Sequence, residues 1–202
     1  MHISEGVFSA PVLLVGAGLA VAGTAVGLKR IDYDRLMTVA IMSSSFFIAS
    51  LIHVPLGPSS AHLILNGLLG LVLGWAAFPA ILTALFLQSV FFQFGGLTVL
   101  GVNTFNMAAP ALICYYIFRS PISRPGKARG AAAFAGGALA VLLSSLFTAF
   151  SLAFTHEGFM AAAKLLVAAH APIMLVEGVI TMFAVTFLAR VQPEILYSSL
   201  VK

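Results

Sequence analysis

Five histidines and few other polar side chains stand in an otherwise mostly apolar chain. His2 is the most distinctive of them by position. A Met1-His2 start offers three nitrogens in fixed order: the α-amine, the His2 amide and the His2 Nδ1. The first two close a five-membered chelate ring and the last two a six-membered one, so the three define corners of a square. A square nitrogen set suits Ni(II) or Cu(II), whereas Mg(II) and Ca(II) want six or more oxygens. The fourth corner is open to another imidazole. The plain alternative is a solvated histidine at an exposed terminus.

His62 is the candidate for that corner. It follows the turn Val54-Pro55-Leu56-Gly57-Pro58-Ser59-Ser60-Ala61, and an interfacial histidine solvated by water is the competing reading. His53 and Ser60 share this turn as an alternative ligand and an outer-sphere partner. Asn103 and Asn106 follow the glycine-rich stretch Gly95-Gly96-Leu97-Thr98-Val99-Leu100-Gly101-Val102 and could orient ligands from a second sphere. Alternatively the stretch is an ordinary turn, with Asn103 capping the next helix. His156, beside Glu157, reads as solvated. His170 and Glu177 are seven residues apart, hence two turns and one face of a helix. They could form a proton relay, line a pathway, or act as a polar pair locking a bundle.

The elements that must position these groups follow from composition. The chain has 202 residues, of which 61% are hydrophobic and 8% charged. A soluble domain is about one quarter charged, and disorder needs low hydrophobicity with high charge. An integral membrane protein is the class that remains. The net charge of +4 is spread too thinly for a nucleic-acid face. Cys114 is the single cysteine, so a disulfide framework and thiolate clusters are excluded. No GxxxxGK[ST] loop and no acid/base carboxylate pair occurs, so the chain reads as a non-enzyme that cannot itself power transport.

The positions of the charges give a topology. Between Glu5 and Lys29 lie 23 uncharged residues, enough for one spanning helix of about 20. From Arg35 to Arg119 there are 83 without a formal charge. The basic clusters Lys29, Arg30, Arg35 and Arg119, Arg124, Lys127, Arg129 belong in the cytoplasm by the positive-inside rule. A segment that leaves and returns to one side crosses an even number of times. Breaks at Pro55-Leu56-Gly57-Pro58, Phe78-Pro79 and Gly95-Gly96 divide this one into four. The expectation is an all-α membrane protein forming one domain over 1–202. Its seven spans lie at about 7–28, 36–52, 62–77, 79–94, 106–118, 131–155 and 166–190, with the N-terminus outside and the C-terminus inside. Nine of the ten Lys/Arg residues are then cytoplasmic, Lys164 being the exception. Met1 and His62 fall on the same, outer side. The first helix lacks the basic opening of a signal peptide, so Met1 is expected to persist. Its Gly16, Ala20, Thr24, Gly23 and Gly27 allow close helix–helix approach.

The start Met1-His2-Ile3-Ser4-Glu5-Gly6, the turn Gly57-Pro58-Ser59-Ser60-Ala61-His62, and Gly95-Gly96-Leu97-Thr98 through Val102-Asn103-Thr104-Phe105-Asn106-Met107 resemble the CbiM/NikM family. These are substrate-binding (S) components of energy-coupling factor (ECF) transporters for cobalt and nickel. The resemblance covers essentially the whole chain. It implies a six-helix S-component fold with an extra N-terminal helix in a bacterial or archaeal cell membrane. It also implies a metal site of the Met1 amine, the His2 amide and imidazole, and His62. The implied partners are a transmembrane coupling subunit, two cytoplasmic ATPases and a small accessory membrane subunit. His62 is followed by Leu63-Ile64-Leu65, which is similar to nickel-type members; cobalt-type members carry His-Pro-Thr-Gly there. The expected cargo is therefore Ni(II), with Co(II) the alternative and no resident cofactor. A haem-binding redox subunit and a stand-alone proton-coupled carrier acting through His170 and Glu177 are the competing classes.

Overall fold

The structure is a computed structural model that describes residues 3–56 and 59–197. Helices make up nearly all of it: α1 (Ala10–Lys29), α2 (Leu36–Ala49), α3 (Asn66–Leu73), α4 (Ala77–Phe92), α5 (Leu100–Ser123), α6 (Lys127–Ala153), α7 (Met160–Val191) and the short α8 (Pro193–Tyr197). Short 3-10 turns precede α2, α4 and α7.

The fold departs from all-α at one place. Two strands, β1 (His53–Leu56) and β2 (Ser59–His62), pair antiparallel with His53 opposite His62 and Leu56 opposite Ser59. A helix starting at position 62 is therefore corrected: the strand runs through His62, residues 63–65 are non-helical, and α3 begins at Asn66. The reason lies across the molecule, where Glu177 takes the N–H groups of Ile64 and Leu65 and holds that backbone out of a helix.

The break expected at Phe78-Pro79 falls earlier, at Gly74. Its φ of 57° and ψ of −124° end α3, and the turn Gly74–Ala76 leads into α4. Pro79 then sits in the first turn of α4, where a missing N–H costs nothing. The fifth helix starts at Leu100, six residues before the expected 106, so Asn103 lies inside it and Val99 is at its cap.

Four helical stretches are long and apolar enough to cross a bilayer among the described residues: Ala10–Lys29, Asn66–Phe92, Lys127–Ala153 and Met160–Val191. The second of these is the α3–α4 stretch with its turn at Gly74. At 14 residues, α2 reaches only about 21 Å at 1.5 Å per residue, short of the roughly 30 Å hydrocarbon core.

Small residues set the packing. The buried face of α1 is Gly16, Ala20, Gly23 and Gly27, whereas Leu14, Val15 and Val21 are exposed. A Cβ on Gly16 would stand 2.9 Å from the Val102 Cα, and one on Gly27 would stand 2.6 Å from the Trp75 carbonyl oxygen. A helix apolar all round that buries only its small residues is built for lipid. The central post is α3, buried at all eight positions and packed against α5, α6 and α7.

The two ends of the bundle differ. At one, the Arg30 guanidinium lies 5.1 Å from the Trp75 ring centroid. There too Arg35 Nη2 donates to Val72 O (2.9 Å) and Ile195 O (3.4 Å). This basic end joins the last turn of α1, the α3–α4 turn and α8. The opposite end gathers the N-terminal segment, the hairpin, the 93–99 loop and the α6–α7 connection, where the Ser9 N–H meets Thr155 Oγ1 at 3.5 Å.

Candidate metal centre

At the end away from the arginines the chain start is held at three points. Asn103 Nδ2 donates to Ile3 O at 3.2 Å. The Glu5 N–H donates to Gly95 O at 3.1 Å. Glu5 Oε1 in turn accepts the Thr98 N–H at 3.0 Å. The Thr98 backbone and side chain, with the Leu97 N–H, hold the Glu5 carboxyl below its ordinary value. The 95–98 loop can come this close because Gly96 has a φ of 130°, and a Cβ there would lie 2.1 Å from the Glu5 Cγ. Beneath, Ile3, Val7 and Phe8 join a small apolar cluster with Val99, Val102, Leu152, Ala163 and Leu166.

His62 is buried. Its Nδ1 lies 3.0 Å from Leu63 O. A carbonyl only accepts, so Nδ1 carries the proton and Nε2 the lone pair. A ring N–H held by a backbone carbonyl is a common way of fixing the tautomer and orientation of a metal-ligating histidine. Two residues on, the Ile64 N–H donates to Glu177 Oε1, and three residues on, the Leu65 N–H meets Glu177 Oε1 and Oε2 at 2.9 and 3.0 Å. Leu65 itself takes a φ of 54°, unusual for a residue with a side chain. Asn66 Nδ2 then donates to Met107 O (3.0 Å) and Ser144 Oγ (2.8 Å). The backbone leaving His62 is thus fixed to three helices.

The expected site residues fall out as follows. Met1 and His2 lie outside the described residues. His53 and Ser60 are placed on β1 and β2 by backbone register, and their side chains lie outside the description. Asn103 reaches the chain start at Ile3, whereas Asn106 exchanges hydrogen bonds with Ser151 on α6. His156 is exposed, with its Nδ1 accepting the Gly158 N–H at 3.0 Å. His170 and Glu177 are both buried on α7, yet each takes its own partner. His170 Nδ1 donates to Leu166 O at 2.7 Å, and Glu177 holds the backbone after His62. Among the described residues no three His, Cys, Asp or Glu side chains converge to hold a metal ion, so a centre at His62 must draw on further donors. Glu5 as a tether went unrecognised in the sequence, although the Gly95-Gly96 pair signalled a close approach of backbone.

Comparison with known proteins bears on these residues. The family model described as CbiM, cobalt uptake substrate-specific transmembrane region, matches residues 2–195. A Haemophilus influenzae protein provisionally named a metal transport protein is 44% identical over 97% of both chains. The cobalt transport protein CbiM of Kyrpidia tusciae is 29% identical over 97% of this chain and 86% of its own length. A crystal structure of a transition metal transporter superposes with a TM-score of 0.80 and 29% identity, covering 100% of this chain and 98% of that one. The match spans nearly the whole bundle, and the chain is a member of the CbiM family of substrate-specific transmembrane proteins.

Proposed function

We propose that this protein is the S component of an ECF-type importer and captures Ni(II), or else Co(II), from the extracytoplasmic side of the cell membrane. In this reading seven helices cross the bilayer, with the N-terminus outside and the C-terminus inside. The Met1 amine, the His2 amide and imidazole, and His62 bind the ion. A transmembrane coupling subunit, two cytoplasmic ATPases and a small accessory membrane subunit then complete the importer.

The observation that carries the reading is the setting of His62. It is a buried imidazole whose Nδ1 is committed to Leu63 O, at the same end of the bundle as a chain start tied down at Ile3 and Glu5. The relatives support transition-metal cargo: one is named for cobalt, and a Rhodobacter capsulatus relative, 35% identical over 54% of this chain, is named a fused nickel transport protein. Nickel ranks first because an amine, an ionised amide and imidazoles favour low-spin square-planar Ni(II). Cu(II) binds such nitrogens most tightly by the Irving–Williams order, so selectivity against copper rests on metal availability.

The test is to extend the N-terminus by a few residues and titrate Ni(II) into the purified protein. Moving the amine away from His2 breaks the chelate and leaves the bundle intact. Binding is expected to collapse; unchanged affinity would refute the site.

A further inference from the structure

The basic end of the bundle carries a groove that the proposed metal site does not use. It runs between the start of α6 and the end of α7, with a volume of about 560 Å³. Lys127 and Arg129 line it from α6 and Arg190 lines it from α7, with no acidic side chain among the lining residues. Arg129 is held in place by its Nε, which donates to Ile122 O at 2.9 Å. Lys127 and Arg190 are exposed.

Three cations around one groove repel one another, and the helix start adds to the imbalance. The N-terminal end of a helix is positive and favours acidic side chains in its first turn. The first turn of α6 has none, and no side chain caps it. Lys127 and Arg129 stand there instead. An anion seated in the groove relieves the repulsion and meets the positive helix end.

The walls of the groove indicate what carries that anion. Met182, Thr186 and Arg190 are four residues apart, so they form one stripe along α7. Toward the basic end the stripe passes from thioether to hydroxyl to cation over about 12 Å. Phe183, beside it in the groove, is 66% exposed, as suits a ring facing hydrocarbon. An acyl chain, a glycerol ester and a phosphate follow in that same order across a bilayer leaflet. A free phosphate or an acidic protein segment would use the cations alone and leave the apolar part of the groove unmatched.

We propose that this groove binds an anionic phospholipid from the leaflet at the basic end. Its phosphate sits between Lys127, Arg129 and Arg190, and one acyl chain runs along Met182 and Phe183. Basic pockets between membrane helices hold such headgroups by charge, each Lys or Arg adding to the attraction. The lipid clamps α6 to α7 at the end remote from His62, and its binding does not depend on which ion is carried.

The test is native mass spectrometry of the full-length protein, released from detergent containing equal amounts of phosphatidylglycerol and phosphatidylcholine with the same acyl chains. The unmodified protein is expected to retain phosphatidylglycerol in preference. Lys127→Gln combined with Arg190→Gln should cut that preference about tenfold or more, and both side chains are exposed, so the bundle is unaffected. Lys29→Gln combined with Arg124→Gln removes the same charge from the same end outside the groove, and should keep the preference. Glycerol phosphate, a headgroup without chains, should not displace the lipid at equal concentration. Equal retention of the two lipids by the unmodified protein, equal loss in the two double variants, or displacement by glycerol phosphate would each overturn the proposal.

Discussion

Both carboxyl oxygens of Glu177 accept the N–H of Leu65, at 2.9 and 3.0 Å. An acidic side chain on the last long helix thus fixes a backbone segment 112 residues earlier in the chain, three residues after His62. Replacing Glu177 by Ala strands two buried amides, each costing about 1–3 kcal/mol. The expected result is a lowered melting temperature together with weakened Ni(II) binding, although Glu177 is not among the proposed ligands. Glu177→Gln should retain more of both, because one oxygen remains. Unchanged hydrogen exchange at Ile64 and Leu65 in the Ala variant would contradict this role.

The tether at the chain start gives a second expectation. Gly96→Ala puts a methyl where the Glu5 side chain stands and forces a side chain into φ 130°. Metal affinity should fall while thermal stability changes little, since the loop is peripheral to the core. Isothermal titration and a melting curve on one preparation separate the two effects.

Acidity should act in two windows. The N-terminal amine has an ordinary pKa near 8 and imidazoles near 6.5, and both must be deprotonated to bind metal. Affinity should therefore decline below about pH 6. The Glu5 tether behaves differently. Donors from Thr98 hold its carboxyl below the ordinary 4.5, so its contribution is complete above that value and is lost as pH falls through the lowered one. Hydrogen-exchange labelling of the first ten residues should show release only in the lower window, and Glu5→Gln should abolish that step.

Helix packing offers a stability test remote from the site. A Cβ on Gly70 would lie 2.1 Å from the Ala111 carbonyl oxygen, and backbone cannot swing aside as a side chain can. Gly70→Ala should cost at least the roughly 1–3 kcal/mol of ordinary overpacking. Gly18→Ala, on open surface, is the control expected to leave the melting temperature unchanged.

Much of the fold was readable because charge and small residues are local signals. Of the small residues read as a packing seam, Gly16, Ala20, Gly23 and Gly27 form the buried face of α1, and Thr24 is only partly buried. Gly95-Gly96 was visible as a turn, and both residues have positive φ. What could not be read depended on partners distant in sequence. The start of α3 was misplaced because Glu177, across the bundle, holds the backbone of Ile64 and Leu65 out of a helix. Asn103 had the composition of a cap, yet it lies inside α5 and serves the chain start. Pro79 read as a break, since a sequence does not say whether a proline stands in the first turn of a helix or the middle.

The seam on α1 has a consequence for how the protein is made. The first helix to leave the ribosome cannot settle until Phe78, Pro79 and Val102, the surfaces its glycines fit, have been synthesised and inserted. The backbone after His62 waits longer still, until Glu177 arrives near the end of translation. The chain start, born first, is thus among the last parts to find its place, and a chain that stalls before residue 177 would enter the membrane with its binding end unassembled. Assembly of the end that holds His62 therefore depends on the last long helix being in place.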